Sequence, residues 1–177
     1  MVIYIEDIMK QKVVLAVMFV FVLSSDQISK YIVASTCPLY EAREIIGTVF
    51  MIRYVRNPGA VFGLFRTHPE AVFVLKAVIV PLFLLFIAWL LLLNGLRRYP
   101  SLNTVAVKFS LVLIAGSAIG NYIDRMLTGA VIDFIDIGIG TVRWHTFNLA
   151  DAYLVVAEIV LIYCVIRAET KKEVKTL

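Results

Sequence analysis

Asp133 and Asp151 each close a short polar stretch beside an apolar one. The first stretch runs Gly120-Asn121-Tyr122-Ile123-Asp124-Arg125 and on to Val131-Ile132-Asp133-Phe134; the second is Phe147-Asn148-Leu149-Ala150-Asp151. An aspartate at the centre of a membrane helix costs roughly 2.5–3.5 kcal/mol, and less toward the interface. Carboxylates retained at such a boundary need a reason. Two that can converge point to acid–base chemistry on a substrate that itself lies in the bilayer.

The elements that must position them follow from composition. The chain has 177 residues, 61% hydrophobic and 17% charged, with a net charge of +4. A soluble domain would be nearer one-half apolar and one-quarter charged, so this is a single integral membrane domain, 1–177, without sequence for a separate soluble module. The basic residues cluster near helix ends, where they set topology and meet lipid headgroups, which argues against nucleic acid as a partner. Cys37 and Cys164 form no spacing motif and define neither a redox compartment nor a metal site.

Four stretches are long or apolar enough to span a hydrocarbon core of about 30 Å: approximately 13–34, 71–93, 105–123 and 148–166. Lys10 and Lys12 before the run Val13 to Leu23 imitate a signal peptide, but apolar character resumes at Tyr31-Ile32-Val33-Ala34 and makes a full span. Pro81 is a candidate kink in the second span. The basic residues that flank the spans tightly, such as Arg97, Arg98, Lys108 and Arg167, place both termini inside and the loops 35–70 and 126–147 outside. In the first loop, Val49 to Val55 alternates and reaches Asn57-Pro58-Gly59, a strand entering a turn. The second alternates from Asp133 to Trp144, with Gly138 and Gly140 suggesting a hairpin. The expected architecture is a membrane all-α core of four transmembrane helices under a small extracytoplasmic β-rich cap.

Helical spacing gathers the polar residues. Ser110, Ser117, Asn121 and Asp124 are separated by 7, 4 and 3 residues and share one face of the third span. Ala115, Gly116, Ala118 and Gly120 beside them permit close helix packing. Asp26 and Lys30 in the first span are four apart and can pair, which as an ordinary ion pair makes the boundary tolerable. Arg125 can serve a helix C-terminus, a carboxylate or a substrate carbonyl, or simply snorkel. Asp136 reads as an exposed loop acid. Glu158, seven after Asp151, reads as an interior carboxyl on the same helix face. His68 and His145 belong to no metal-ligand spacing, and no HExxH, CxxC or GxSxG pattern is present.

These residues resemble the bacterial lipoprotein signal peptidases, the signal peptidase II family. Four segments match in the family's order: Asp26-Gln27-Ile28-Ser29-Lys30; Asn57-Pro58-Gly59-Ala60-Val61-Phe62-Gly63; Gly120 to Phe134; and Phe147 to Asp151. The resemblance implies an aspartic endopeptidase of the bacterial inner membrane, with its active site near the extracytoplasmic face. It would remove signal peptides from diacylglyceryl-modified prolipoproteins, cutting before the lipidated cysteine. Carried over by position, the dyad is Asp133 and Asp151. Asn57, Gly59, Asn121, Asp124, Arg125 and Asn148 match supporting residues, and Asp26 with Lys30 the first motif. No metal or cofactor is implied, and the chain is expected to act as a monomer among membrane lipids. His145-Thr146 stand where many relatives carry a proline. Two carboxylates sharing a water cannot comfortably both be charged, and which of them is the base is left open.

Two other classes compete. A metal-dependent phospholipid headgroup transferase would use Asp124, Asp133 and Asp136 as oxygen ligands, and activity in a chelator would exclude it. A proton-coupled transporter subunit would use Asp26, Asp124 and Glu158 as a relay, but the internal repeats characteristic of many transporters are not visible.

Overall fold

The computed structural model describes residues 2–58, 78–92 and 95–176. Its elements in chain order are helix α1 (Val2–Thr36), strands β1 (Ala42–Ile46) and β2 (Phe50–Asn57), helix α2 (Val80–Leu92), a 3-10 turn (Gly95–Arg98), helix α3 (Val105–Thr128), strands β3 (Val131–Ile139) and β4 (Val142–Arg143), and helix α4 (Leu149–Thr176). Three segments, Ile8–Thr36, Val105–Thr128 and Leu149–Thr170, are long and apolar enough to cross a membrane, and Val80–Leu92 is a shorter apolar helix. The chain is a multi-pass membrane protein with a helical core and a small antiparallel sheet. Residues 71–77 and 93 of the expected second span lie outside the described residues, as do Gly59 and His68. Pro81 stands in the first turn of α2, just after a π-helical step at 78–79, where its missing N–H costs little.

The helices run past the limits of their apolar runs. α1 continues unbroken through Ser24-Ser25-Asp26-Gln27, because the serine hydroxyls of Ser25 and Ser29 turn back onto carbonyls three residues earlier. α3 continues one turn past Ile123. Thr104 caps its start by accepting from Val107 N–H, and Gly129 ends it at φ 78°, donating its N–H to Arg125 O. α4 carries on through the charged tail to Thr176.

Packing in the membrane depends on small residues, since lipid offers no hydrophobic drive between helices. A Cβ at Gly116 would lie 2.8 Å from Val22 of α1, and one at Gly120 would lie 2.5 Å from the Asp26 carboxylate and 3.8 Å from the Ala150 methyl. Gly120 is therefore the place where α1, α3 and α4 meet. Ala150 and Ala157 of α4 are completely buried. Valines and aromatics such as Val17, Val20 and Phe21 on the far face of α1 are exposed to the bilayer instead. One apolar cluster joins Ile87, Leu111, Ile114 and Ala157 within the helices. A second joins Val33 of α1 to Tyr54, Ile132 and Phe134 of the sheet and seats the cap on the bundle.

The sheet has order β1-β2-β3-β4. Alternation foretold β2 and the β3–β4 hairpin, whose two-residue turn holds Gly140 at φ 57°; β1 is an addition. In β2–β3, Val55 pairs with Asp133 and Asn57 with Val131, so Asn57 and Asp133 are diagonal neighbours on one face. Beyond β4 the chain returns to β3: Phe134 and Ile135 donate their N–H groups to Phe147 O at 2.9 and 2.7 Å. That return places Asn148 and the start of α4 directly beside Asp133.

Candidate active site

The first turn of α4 is built by two reciprocal hydrogen bonds. Asn148 precedes the helix and its Oδ1 accepts from Asp151 N–H at 3.0 Å, while Asp151 Oδ2 accepts from Asn148 N–H at 3.2 Å. This is a capping box made with Asn and Asp in place of the usual Ser/Thr and Glu. Because Asn148 Oδ1 is committed to a backbone donor, its amide nitrogen must face the other way. There it donates to Asp133 Oδ1 at 2.8 Å, to Asn121 Oδ1 at 3.1 Å and to Ile132 O at 3.3 Å. One buried asparagine thus touches both candidate catalytic carboxylates.

Asn121 is oriented by the same logic from the other side. Lys30 Nζ, a donor that cannot accept, donates to Asn121 Oδ1 at 2.9 Å. The Asn121 amide nitrogen then points to Asp151 Oδ1, at 2.9 Å. Asn57 completes the frame, donating from Nδ2 to Asp133 Oδ2 at 3.1 Å. Four elements, β2, β3, α3 and α4, converge on this pair, and no cation is bonded to either carboxylate among the described residues.

Behind it stands a cluster of a different kind. Lys30 Nζ lies 2.7 Å from Asp26 Oδ2 and 2.8 Å from Asp124 Oδ2. All three residues are nearly inaccessible, at 1%, 0% and 5% exposure. Ala150 N–H donates to Asp26 Oδ1, Ile132 N–H to Asp124 Oδ2, and Gln27 Nε2 to Asp26, Asp124 and Gly120 O. Every carboxylate oxygen has a donor, which is the condition for burying charge at tolerable cost. The expected Asp26–Lys30 pair is therefore half of a three-residue bridge between α1 and α3. Gln27 escaped notice in the sequence although it sits inside the first motif; its position next to Asp26 carried no periodic signal.

Arg125 donates from Nη1 to Asn121 O at 3.2 Å. Its Nε is buried without a hydrogen-bond partner among the described residues. Burial, with the charge of Asp151 adding to it, pushes the Asp133 carboxyl up to about 7, against the opposing pull of its asparagine bonds.

Two expectations need correction. Asp136 is not an exposed loop acid: it is buried at 1% exposure in β3, where Arg143 grips it at 2.6 Å and Arg53 Nε stands 3.0 Å away. Position 136 falls on the strand face opposite Asp133, toward cross-strand arginines that only the register reveals. Glu158 is not an interior carboxyl; it is exposed. It follows Ala157, which faces α3, by one residue, and a helical step of about 100° carries it off the packed face.

Comparison with known proteins agrees with this geometry. Residues 18–167 match the family model described as Signal peptidase (SPase) II. A lipoprotein signal peptidase of Desulforapulum autotrophicum is 35% identical over 146 residues, which cover 82% of this chain and 86% of that protein. One from Moorella thermoacetica is 38% identical over 140 residues, covering 79% and 84%. A solved bacterial membrane enzyme, determined by the in meso method at 2.3 Å resolution, superposes with a TM-score of 0.76 at 28% identity, over 90% of this chain and 91% of its own. The family match runs from the first helix into the last, and the relatives exceed 30% identity over most of their length; this chain belongs to the signal peptidase II family.

Proposed function

We propose that the protein is an aspartic endopeptidase that removes the signal peptide of diacylglyceryl-modified prolipoproteins, cutting just before the lipidated cysteine, with Asp133 and Asp151 as the dyad. The observation that carries this reading is the convergence of the two carboxylates on Asn148, in a pocket of amide donors without a cation bonded to either among the described residues.

Burial raises the affinity of Asp133 for its proton, which supports giving it the acid's role. Asp133 holds the proton of the pair and donates it to the peptide carbonyl oxygen. Asp151 is the carboxylate that takes a proton from water, and its place in the first turn of α4, with an N–H donor behind it, compensates negative charge there. The hydroxyl so formed attacks the carbonyl carbon. As the tetrahedral intermediate collapses, the hydroxyl formed from the carbonyl returns its proton to Asp133, the C–N bond breaks, and the proton taken up by Asp151 passes to the leaving amine of the cysteine. Water is thereby divided between the new carboxyl and the new amine. Arg125, half-buried one turn after Asn121, is the group that would hold a substrate carbonyl. The acyl chains of the substrate stay in the bilayer, where each CH₂ contributes about 0.8 kcal/mol to retention. Both termini lie on the cytoplasmic side and the dyad on the opposite side.

The transferase alternative asks Asp124, Asp133 and Asp136 to share one metal, but Lys30 occupies Asp124 and the arginines occupy Asp136. The transporter relay asks for an interior Glu158, which is exposed.

The test is cleavage of a diacylated lipobox peptide by the purified protein in EDTA, with Asp133→Asn and Asp151→Asn beside wild type. Cleavage before the lipidated cysteine, lost in both folded variants, is the expected result. Undiminished turnover in either variant would remove that aspartate from the mechanism.

A further inference from the structure

Away from the dyad, a groove opens between the outer end of α1 and the β1–β2 hairpin. It consists of two adjoining compartments of about 320 and 300 Å³ that share Thr36, Arg43 and Ile52. Each is at the small end of the range for ligand sites, roughly 300–1,000 Å³. The compartment nearer the membrane is lined by Ile32, Val33, Ile45 and Ile52. It continues onto the bilayer-facing surface of α1, where Ile28 and Ile32 are exposed at 58% and 52%. The outer compartment carries Glu41 and Arg43, both exposed and neither engaged in an ion pair among the described residues.

We propose that this groove is a binding site for a zwitterionic glycerophospholipid. One acyl chain lies along Ile32 and Ile52, the phosphate on Arg43 and the ammonium on Glu41. Three features select this occupant. The groove begins in the bilayer and ends at its surface, which is the path of a lipid and not of a soluble ligand. The apolar part lies on the membrane side and the charged part on the water side, in the order of a lipid's own parts. The charged part offers one cation and one anion, complementary to a headgroup that carries one of each. A purely anionic headgroup would leave Glu41 unmatched and facing a like charge. The site is separate from the carboxylate pair and does not depend on the protein being a peptidase.

Native mass spectrometry of the purified protein, titrated with phosphatidylethanolamine or phosphatidylglycerol of equal chain length, tests this. Wild type is expected to retain phosphatidylethanolamine in preference to phosphatidylglycerol. Arg43→Gln should lower retention of both roughly fivefold, the worth of one interfacial cation, and Arg43→Lys should restore part of it. Glu41→Gln should abolish the preference between the two lipids while leaving peptide cleavage unchanged. Retention that is indifferent to Arg43→Gln would overturn the site. A preference that survives Glu41→Gln would overturn the headgroup assignment.

Discussion

Two carboxylate pairs stand side by side in this molecule and differ in one respect. Asp26 and Asp124 close on Lys30 at 2.7 and 2.8 Å. Asp133 and Asp151 close on asparagine amides. A lysine between two acids supplies their countercharge and ties α1 to α3. Amides fix position without supplying a countercharge, so the pair must carry a proton to relieve its own repulsion. The first arrangement makes a brace; the second leaves two acids facing each other, the pair proposed above to be reactive. Asp26, Asp124 and Asp133 are buried, and Asp151 is half-buried.

The comparison is broken most severely at the reactive pair. Asp133→Asn or Asp151→Asn should lower turnover of the lipopeptide by roughly 10²–10⁴-fold or more; the amide keeps the size but only one of the two accepted hydrogen bonds, so stability should fall by about 1–3 kcal/mol. The brace should respond in the opposite way. Lys30→Met leaves two buried carboxylates without their cation and should cost about 3–5 kcal/mol of folding stability, read as loss of folded protein in detergent unfolding; because Lys30 also orients Asn121, the folded fraction should lose some turnover too, by less than either dyad variant.

Acidity sharpens the same contrast. The folded-state value of Asp133, about 7, lies above its ordinary 3.8, so the native state holds an extra proton between these limits. Stability from this group is full below about pH 4 and is lost as pH rises through 7. Turnover should fall along an alkaline limb with its midpoint near 7. A midpoint about two units away would show that the titration of Asp133 does not set this limb. Smaller is the effect of Gly120→Ala, whose new methyl meets Asp26 at 2.5 Å; the brace must shift, at about 1–3 kcal/mol. Smallest is Glu158→Gln on the exposed side of α4, expected within about 0.5 kcal/mol of wild type and with unchanged cleavage.

Much of this was legible in the chain. The 7, 4 and 3 spacing of Ser110, Ser117, Asn121 and Asp124 gave the inward face of α3, because a helix converts spacing into direction without further information. Asn57 could be placed at the end of a strand by alternation alone. Asp136 could not be read, since its burial depends on β2 presenting Arg53 across the sheet, and register is a property of two strands and the turn between them. Glu158 misled because the face it shares with Asp151 is covered near the cap and bare lower down; the covering comes from other elements. The Asn148–Asp151 capping box was present as Asn-x-x-Asp ahead of an apolar run and could have been recognised as a helix start. Lys30 reached the dyad only in three dimensions, through Asn121.

The capping box has a consequence for timing. The hydrogen bonds that nucleate α4 are the ones that aim Asn148 at Asp133, so a frayed first turn is also a dismantled site. Competence is therefore set by a local equilibrium, closed against open, at the end of a single helix. Exchange of the Asp151 amide hydrogen, which Asn148 shields, reports the open population directly. A solvent or bilayer that loosens that turn by one factor should slow catalysis by the same factor without unfolding anything else.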